Sequence, residues 1–432
     1  MTQRREIRID VPVLSRVEGE GALELFIRDG HIERLQLNIY EPPRLFEKLL
    51  EGRSFEEVPD AVARICGICP VAYQMSAVRA IESAFGVRVT PWVEAMRRLF
   101  YCGEWIESHA LHIHLLAAPD FFGCDSVVAL AEKAPEAVRR GLRLQALGND
   151  IIRFLGGRSV HPVGARVGGF HHSPTHAEAS HLRERLLAAL PEAEALVAWC
   201  AAWPLPADDQ DFECVSLSEP GRYPMMGDRI VSDRGLDIPI ADFPHVFEER
   251  QVPHSTALHC LLRGRPYLVG PLARLNCHFA QLPEVVRERA QATGITWPSR
   301  NMYHSVVARA VEILFALSEA VDLLDRYQET DQPAVAMTPR AAQGFGASEA
   351  PRGLLWHHYA FDARGCVSSA RIVPPTSQNQ ARIEADLAAN LGAFGLDRDE
   401  AALRLRAEQV IRNYDPCISC ATHFLRLRLE RT

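Results

Sequence analysis

The sequence predicts an α+β protein that is mainly α-helical and carries small β-sheets. Apolar residues recur at helical spacing in four segments long enough to form a bundle of long helices. These segments are residues 90–118, 127–155, 175–202 and 301–328. Strand-like alternation occurs near the N-terminus, and Pro, Gly and β-branched residues are frequent in residues 205–300. The 432 residues, 47% of them apolar, suffice for a large core.

The first elements can be predicted one by one. Apolar residues alternate in "GALELFIRDGHIERLQLNIYE" on both sides of Asp29-Gly30, which predicts a β-hairpin. "PPRLFEKLLEG" predicts a short helix that ends at Gly52. Residues 60–86 are expected to be helical, with "RICGICP" near the start of the helix. Thr90 is expected to cap the next helix, with Pro91 at its first position.

The later segments complete a single expected body of residues 1–432. The stretch from 330 to 380, rich in Gly and Pro, is expected to be irregular, and a loop of that length usually has a function. The expected regions are an N-terminal β-hairpin region (1–58), a helical bundle (59–204 and 301–330), a mixed β-rich insertion (205–300) and an irregular loop region with a C-terminal metal-binding segment (331–432).

Composition excludes several classes of protein. The formal net charge is -8 and no basic stripe is present, so we expect no nucleic-acid partner. The start, "MTQRREIRIDVPV", has no signal-peptide core, and no run of about 18 apolar residues predicts a membrane span. The 11 cysteines are therefore interpreted as reduced thiols of a cytoplasmic protein, with metal or redox use for any tight cluster.

Two CxxC pairs are the strongest chemical signal. Cys66 and Cys69 form the first pair, and Cys417 and Cys420 form the second. Together they can supply four thiolates to one metal site. Zinc ribbons place their pairs close together. Here most of the chain lies between the pairs, so spacing alone leaves both a structural zinc and a redox metal open.

The residues around the pairs resemble the two signature motifs of the nickel–iron hydrogenase large (alpha) subunit. "RICGICPVAYQMSA" and "DPCISCATH" occur in the expected order, and "RVEG" (16–19), "RLFEKLLEGR" (44–53) and "SEAPRG" (348–353) lie in between or before them. The resemblance covers essentially the whole chain and is strongest to the soluble, cytoplasmic branch linked to NAD(P). It implies the long-helix bundle of that family and reversible cleavage of H2 at a Ni–Fe centre.

The resemblance also implies roles for the four cysteines. Cys66 and Cys417 would be terminal ligands of nickel, and Cys69 and Cys420 would bridge to an iron that carries CO and cyanide. Soft thiolates favour such metals over hard cations. Cys417 would accept the proton released from H2.

Further residues gain a role only through the resemblance. Glu18 would be the next proton station. Arg352 would place its guanidinium over the open metal position, flanked by Asp415 and Asp120. Thr376 would donate a hydrogen bond to a cyanide.

A second metal site and two departures from the family pattern follow. Glu47 and His423 would bind Mg²⁺ together with a backbone carbonyl and waters. Tyr73 stands where the family often has a histidine, and a phenol can replace it as a donor. "FLRLRLERT" follows His423, where a maturation endopeptidase would cut many members, so either a retained pro-segment or an uncut tail fits.

Electron transfer requires partners. The chain has no further CxxC pair and no GxGxxG fingerprint, so we expect no iron–sulfur cluster and no nucleotide site within it. An iron–sulfur small subunit and flavin/NAD(P) diaphorase subunits are the expected partners. Two alternatives stay open: a non-catalytic complex I-like quinone-site subunit, which generally lacks the four cysteines, and a zinc-stabilised scaffold.

Overall fold

Long helices form the centre of the molecule, with small antiparallel sheets around them. The computed structural model describes residues 6–422. Its α-helices are α1 Phe46–Leu50, α2 Val58–Val62, α3 Pro70–Phe85, α4 Pro91–Leu111, α5 Ala118–Phe121, α6 Val127–Lys133, α7 Pro135–Gly156, α8 His176–Ala201, α9 Phe243–Val246, α10 Pro271–His278, α11 Glu284–Gln291, α12 Ser305–Asp325, α13 Pro375–Phe394, α14 Glu400–Asn413 and α15 Ile418–Ala421. None of these helices is both long and apolar enough to cross a membrane.

Thirteen strands form five small sheets within the described residues. The strands are β1 Glu6–Val11, β2 Gly21–Arg28, β3 His31–Ile39, β4 Ala165–Arg166, β5 Gly169–Phe170, β6 Val215–Ser218, β7 Arg229–Ser232, β8 Asp237–Pro239, β9 Phe247–Arg250, β10 His259–Leu262, β11 Ala342–Ala350, β12 Gly353–Phe361 and β13 Val367–Val373. The sheets are ordered β1-β2-β3, β4-β5, β6-β7-β8, β9-β10 and β11-β12-β13, and the paired strands are antiparallel.

The predicted helix bundle is present. Helix α4 packs on α7 and α12, and α12 packs on α8. Gly148 shows how close α4 and α7 lie, because a Cβ there would be 2.5 Å from the backbone oxygen of Gly103. Thr90 caps α4 as predicted, since its side chain accepts a hydrogen bond from the backbone N–H of Val93. A π-helical turn (residues 112–117) then carries the chain into α5 without a break.

Two predicted helices are interrupted. The segment 127–155 forms α6 and α7 because Ala134 precedes Pro135 and adopts a non-helical conformation (φ -139°, ψ 64°), since proline disfavours the helical conformation of the residue before it. The segment 60–86 forms α2 and α3. Cys66 and Cys69 lie in the loop between these helices, and Pro70 begins α3. The cysteine pair is therefore on a loop that ends at a helix N-terminus.

The predicted hairpin is confirmed, with Asp29 (φ 49°) and Gly30 (φ 78°) forming its turn. Strand β1 extends it to three strands. The apolar side of this sheet packs in one core with α13 and α14. The small sheets expected between 205 and 300 are also present, together with helices α10 and α11, which were not predicted.

The expectation of an irregular region after residue 330 is wrong for most of that segment. Residues 342–373 form the sheet β11-β12-β13, and α13 and α14 follow. Gly344 and Gly346 suggested a loop, but they mark a close approach of β11 to α3. A Cβ at Gly346 would lie 2.2 Å from the backbone oxygen of Ser76. The division into the expected regions of a single body remains a prediction.

Candidate metal centre

The two cysteine pairs meet in the main core. The four Sγ atoms all lie within 4.8 Å of one another, and they belong to Cys66, Cys69, Cys417 and Cys420. The Sγ atoms are 3.4 Å apart between Cys66 and Cys417 and 3.7 Å apart between Cys69 and Cys420. Each cysteine is at most 3% exposed. A set of four thiols has therefore formed from segments near opposite ends of the chain.

Backbone contacts hold the second pair in place. Cys417 lies beside Glu18 in a short parallel bridge, in which the backbone N–H of Ile418 donates to the Glu18 carbonyl at 2.9 Å. The N–H of Cys417 donates to Oγ1 of Thr376 at 3.0 Å, from the first turn of α13. Asp415 precedes the pair in a left-handed conformation (φ 52°), which aspartate tolerates better than most residues.

Arg44 joins the two pairs and was not singled out from the sequence. Its guanidinium donates to the carbonyl of Ile65, next to Cys66, at 2.8 Å. The same group donates to the carbonyl of Ser419, next to Cys420. One side chain thus holds both cysteine segments at a fixed separation. The segment "RLFEKLLEGR" contains Arg44, but its spacing gives no sign of this role.

The surroundings of the thiols shift their pKa values in opposite directions. Hydrogen bonding with the thiols of Cys417, and then of Cys420 and Cys69, lowers the pKa of Cys66 well below its usual value. The backbone N–H groups of Ile68 and Cys69 also point at this sulfur, each at 3.3 Å. Burial raises the pKa values of Cys417 and Cys420. A metal that binds all four sulfurs must therefore displace protons.

Arg352 is the buried cation of the site. It is 2% exposed, and its Nε donates to the Asp415 carbonyl at 2.7 Å while Nη2 donates to Oδ1 of Asp415 at 3.1 Å. Burial opposes the charge, but Asp415 and then Cys417, Cys69 and Cys66 raise the pKa of Arg352 well above its usual value. Nη1 of Arg352 and Oδ2 of Asp415 are buried without a hydrogen-bond partner among residues 6–422. The guanidinium is therefore charged and has a donor left for a ligand.

Glu18 contacts the sulfur of Cys417, the thiol that the family resemblance implies as the proton acceptor. The Sγ of Cys417 donates to Oε2 of Glu18 at 3.1 Å. The same oxygen accepts the backbone N–H of Ser419 at 3.1 Å, which fixes the carboxylate. Glu18 is half-buried, so it connects a buried thiol with the outer part of the molecule.

The prediction that Asp120 flanks Arg352 is wrong. Its carboxylate accepts from Arg412, through Nε at 2.7 Å and Nη2 at 2.9 Å, and from Arg16. The Asp120 and Arg412 side chains are 3% and 2% exposed. Asp120 is occupied by this buried ion pair, which joins α5 to α14 and to the loop before β2.

Three charged residues near the site were missed. Glu107 is buried, and burial raises its pKa well above the usual value, while Arg352 lowers it and Cys66 raises it. Glu104, one turn earlier on α4, accepts the backbone N–H groups of Val71 and Ala72 at the start of α3 (2.6 and 3.1 Å). Burial lowers the pKa of Arg309 on α12 to about 10. Charged residues on the apolar faces of long helices were the available signal.

Tyr73 lies one turn into α3. Its hydroxyl is buried without a hydrogen-bond partner among the described residues. Burial, and then the sulfurs of Cys420 and Cys69, raise the pKa of Tyr73 well above its usual value. The phenol is therefore protonated and faces the sulfurs to which a donor was expected.

Of the two residues predicted to bind Mg²⁺, Glu47 lies within the described residues. Oε1 of Glu47, which is half-buried, accepts the backbone N–H of Ile372 at 2.7 Å. His423 lies outside the described residues. The magnesium site formed by these two residues remains a prediction.

The convergence of charged groups on the thiols indicates more than a structural metal. A structural zinc needs four ligands in a closed shell, and it has no use for a buried guanidinium with an unpaired donor or for a carboxylate on one thiol. The fold and the site together define a metalloenzyme with a thiolate-bound redox metal.

Comparison with known proteins gives the family. The family model for nickel-dependent hydrogenases matches residues 44–142 and 260–423. The alpha subunit of sulfhydrogenase 2 from Pyrococcus furiosus is 32% identical, covering 97% of this chain and 100% of its own. The beta subunit of the NAD-reducing hydrogenase HoxS from Cupriavidus necator is 30% identical, covering 98% of this chain and 95% of its own. The chain therefore belongs to the nickel-dependent hydrogenase family.

A solved structure supports the fold over the same length. An NAD⁺-reducing [NiFe]-hydrogenase in the H2-reduced state aligns with a TM-score of 0.85 and 29% identity, over 97% of this chain and 99% of that one. The resemblance stated from the sequence and the mainly helical fold with small sheets are both confirmed. The chain is a hydrogenase large subunit, and the scaffold and quinone-site alternatives are set aside.

Proposed function

We propose that Cys66, Cys69, Cys417 and Cys420 hold a nickel–iron centre at which this subunit splits H2 reversibly into protons and electrons. The carrying observation is the set of four buried sulfurs within 4.8 Å beside a guanidinium that has a free donor. When bound, the centre supplies an electron-rich site that polarises and cleaves H2. The remaining chemistry belongs to residues of this chain.

By motif position, Cys66 and Cys417 would hold nickel as terminal ligands, while Cys69 and Cys420 would be shared with iron. Cys66 accepts hydrogen bonds from two backbone N–H groups, those of Ile68 and Cys69, each at 3.3 Å. It is therefore prepared to carry negative charge.

Protons leave through Cys417 and Glu18. The thiolate of Cys417 would accept the protons released from H2 one at a time and become a thiol each time, while the two electrons pass to the partner subunits. The S–H group then gives that proton to Oε2 of Glu18, 3.1 Å away, and the sulfur returns to the thiolate. The N–H of Ser419 holds this oxygen in line with the sulfur.

Hydrogen bonds to the iron ligands would come from Arg352, supported by Asp415, and from Thr376. The free Nη1 of Arg352 is available to a cyanide, and Asp415 holds the guanidinium in place through two hydrogen bonds. Oγ1 of Thr376 accepts from Cys417, so its own hydrogen is left to donate to a cyanide. CO would occupy the remaining iron position. Glu47 and His423 would bind Mg²⁺ at the second site.

Electrons leave through other subunits. An iron–sulfur small subunit would receive them, and flavin/NAD(P) diaphorase subunits would pass them to NAD(P) in the cytoplasm. The relative named as NAD-reducing and the solved NAD⁺-reducing enzyme support this acceptor. A maturation endopeptidase acting after His423 fits the same family pattern.

Infrared absorption of the matured complex tests the centre directly. We expect CO and cyanide bands, with one nickel and one iron per large subunit by elemental analysis. Cys417→Ser should abolish H2 turnover, and Cys366→Ser, at a half-buried cysteine outside the centre, should not. Zinc as the only metal, or matured protein without CO and cyanide bands, would overturn the proposal.

A further inference from the structure

A second group of metal-ligating side chains lies outside the four-thiolate centre. His254 lies in the loop before β10, His259 is the first residue of β10, and Glu384 lies in the middle of α13. One ligand atom from each of these three residues lies within 4.8 Å of the others. The proposed reaction has no use for these residues.

Among the described residues, the hydrogen bonds of these three side chains leave His259 without a partner on one ring nitrogen. Nε2 of His254 lies 2.9 Å from Oε1 of Glu384, and this oxygen also accepts the backbone N–H of Leu37 at 2.9 Å. Nδ1 of His259 lies 4.0 Å from Oε2 of Glu384, beyond hydrogen-bond distance. Nε2 of His259 is buried without a hydrogen-bond partner in the part of the chain that the structure describes. A polar ring that is only 5% exposed is thus left unsatisfied beside a carboxylate.

The protonation of the group suits a cation. Burial lowers the pKa of His259, against the influence of Glu384 and together with that of His254. The ring of His259 is therefore neutral near pH 7 and offers a lone pair. The group offers two imidazole rings and one carboxylate as ligands.

We infer that His254, His259 and Glu384 form a binding site for a borderline divalent cation, with Zn²⁺ as the expected occupant. Two imidazoles and a carboxylate are a donor set that zinc takes readily, whereas magnesium prefers oxygen donors. Zinc–ligand bonds of about 2.0–2.1 Å place tetrahedral ligand atoms about 3.4 Å apart. His254 Nε2 and Oε1 of Glu384, now 2.9 Å apart, would open slightly, and His259 Nδ1 and Oε2, now 4.0 Å apart, would close by about 0.6 Å.

The fourth position is open to water. The His254 and Glu384 side chains are 17% and 19% exposed, so solvent reaches one side of the site. A bound cation would tie β10 to α13, and Leu37 already ties β3 to the same carboxylate. Thr376, which holds Cys417, lies eight residues earlier on α13, about 12 Å along the helix axis. The site would thereby stiffen the helix that supports the catalytic centre.

Zinc titration of the matured hydrogenase complex tests this inference, because its thiolate centre is then already filled. The complex is first treated with a chelator, and Zn²⁺ is added while binding heat is recorded; anomalous diffraction at the zinc edge then locates the ion. We expect one zinc between His254, His259 and Glu384 in the wild type, and none there in Glu384→Gln or His259→Gln. Mg²⁺ in the same titration should not bind at this position.

His245→Gln is the matched control, because His245 also lies beside a carboxylate, 3.8 Å from Asp242, but is exposed. It should keep the zinc. Glu384→Gln can still accept the N–H of Leu37, so loss of zinc with an unchanged thermal midpoint in the chelated protein would exclude misfolding as the cause. No zinc at this position in the wild type, zinc retained in Glu384→Gln, or Mg²⁺ in its place would each overturn the inference.

Discussion

Single residues set the charge balance around the thiols. Asp415 uses a left-handed backbone conformation to aim its carbonyl and its carboxylate at Arg352. Non-glycine residues in such conformations cost energy and are often found at functional sites. The conformation holds the guanidinium beside Asp415, two residues before Cys417. Arg352 can therefore stay charged while it is buried.

Glu18 gives the sharpest test at this scale. Glu18→Gln keeps the shape of the side chain and an oxygen for the N–H of Ser419, but an amide cannot take the proton from Cys417. We expect turnover of H2 to fall by about 100-fold or more with nickel and iron retained, because a positioned base contributes about that much. Turnover is measured with an artificial electron acceptor, and the infrared spectrum checks the centre.

The neighbouring Glu20→Gln is the control for this variant, since Glu20 is exposed and two residues away. It should leave turnover within about twofold of wild type, as surface substitutions usually have small effects. Wild-type turnover in Glu18→Gln would remove Glu18 from the proton path.

Individual charged residues were harder to place from the sequence than the cysteines. The convergence of the four cysteines could be predicted because the motifs around the two CxxC pairs are specific. Asp120 was placed wrongly because an aspartate at a helix end looks the same whether it binds Arg352 or Arg412. Arg44 and Glu107 were missed for the same physical reason. Their roles depend on contacts between distant segments, and a single sequence carries no record of those contacts.

At the scale of elements, the packing of β11 on α3 positions the first cysteine pair relative to Arg352. Helix α3 starts directly after Cys69, and β11 leads through a tight turn to Arg352. The backbones touch where Gly346 faces Ser76, and Oγ of Ser76 hydrogen-bonds to Oγ of Ser348 at 2.6 Å. This contact sets the distance between the first cysteine pair and the guanidinium.

Gly346→Ala should disrupt that contact. The added Cβ would lie 2.2 Å from the oxygen of Ser76 and 2.5 Å from the nitrogen of Ala80, both backbone atoms that cannot rotate away. Overpacking of this kind costs about 1–3 kcal/mol, so we expect a lower thermal midpoint. Gly392→Ala, on α13 with no atom within 4 Å of the new Cβ, should be neutral or stabilising. Equal midpoints for the two variants would contradict this account of the packing.

Element types were predicted well where local periodicity decides them. The hairpin at Asp29-Gly30, the cap at Thr90 and the long helices all follow from patterns within about 20 residues. The sheet β11-β12-β13 was missed because glycines in "AQGFGASEA" lower strand propensity, and their reason lies in α3, some 270 residues earlier. Local signals failed there because a tertiary contact determines the choice of residue.

For the whole molecule, buried histidines predict sensitivity to acid. Burial, the largest cause, lowers the pKa of His114 to about 3 from 6.5, while the Ala110 carbonyl raises it and Arg140 lowers it. Between about pH 6.5 and pH 3 the unfolded chain therefore binds one more proton at this residue than the folded chain. Stability from His114 is fully present above pH 6.5 and is lost as the pH falls, by about 1.4 kcal/mol per pH unit.

His114→Gln should remove that contribution, since glutamine does not titrate. We expect the fall in the free energy of unfolding between pH 6.5 and pH 5 to become shallower by about 1.4 kcal/mol per pH unit, measured by urea unfolding. His31→Gln, at an exposed position on β3, should keep the wild-type slope. An unchanged slope in His114→Gln would show that the ring is charged in the folded protein.

Metal binding should also change which part of the molecule opens most easily. Cys66 and Cys417 are 351 residues apart, and the chain's own hydrogen bonds hold the second cysteine segment. The N–H groups of Cys417, Ile418 and Ser419 are bonded to Thr376 or Glu18. Once four thiolates bind the centre, opening this segment also requires metal–sulfur bonds to break.

Amide exchange at these three residues should therefore slow by at least about tenfold between metal-free and matured protein, since that corresponds to only about 1.4 kcal/mol. Hydrogen–deuterium exchange with mass spectrometry measures this, with the β6–β7 pair Leu217 and Ile230 as an internal reference that should not change. Equal exchange at residues 417–419 in both forms would mean that the segment is already locked before the metals arrive, and that the centre fills a preformed site.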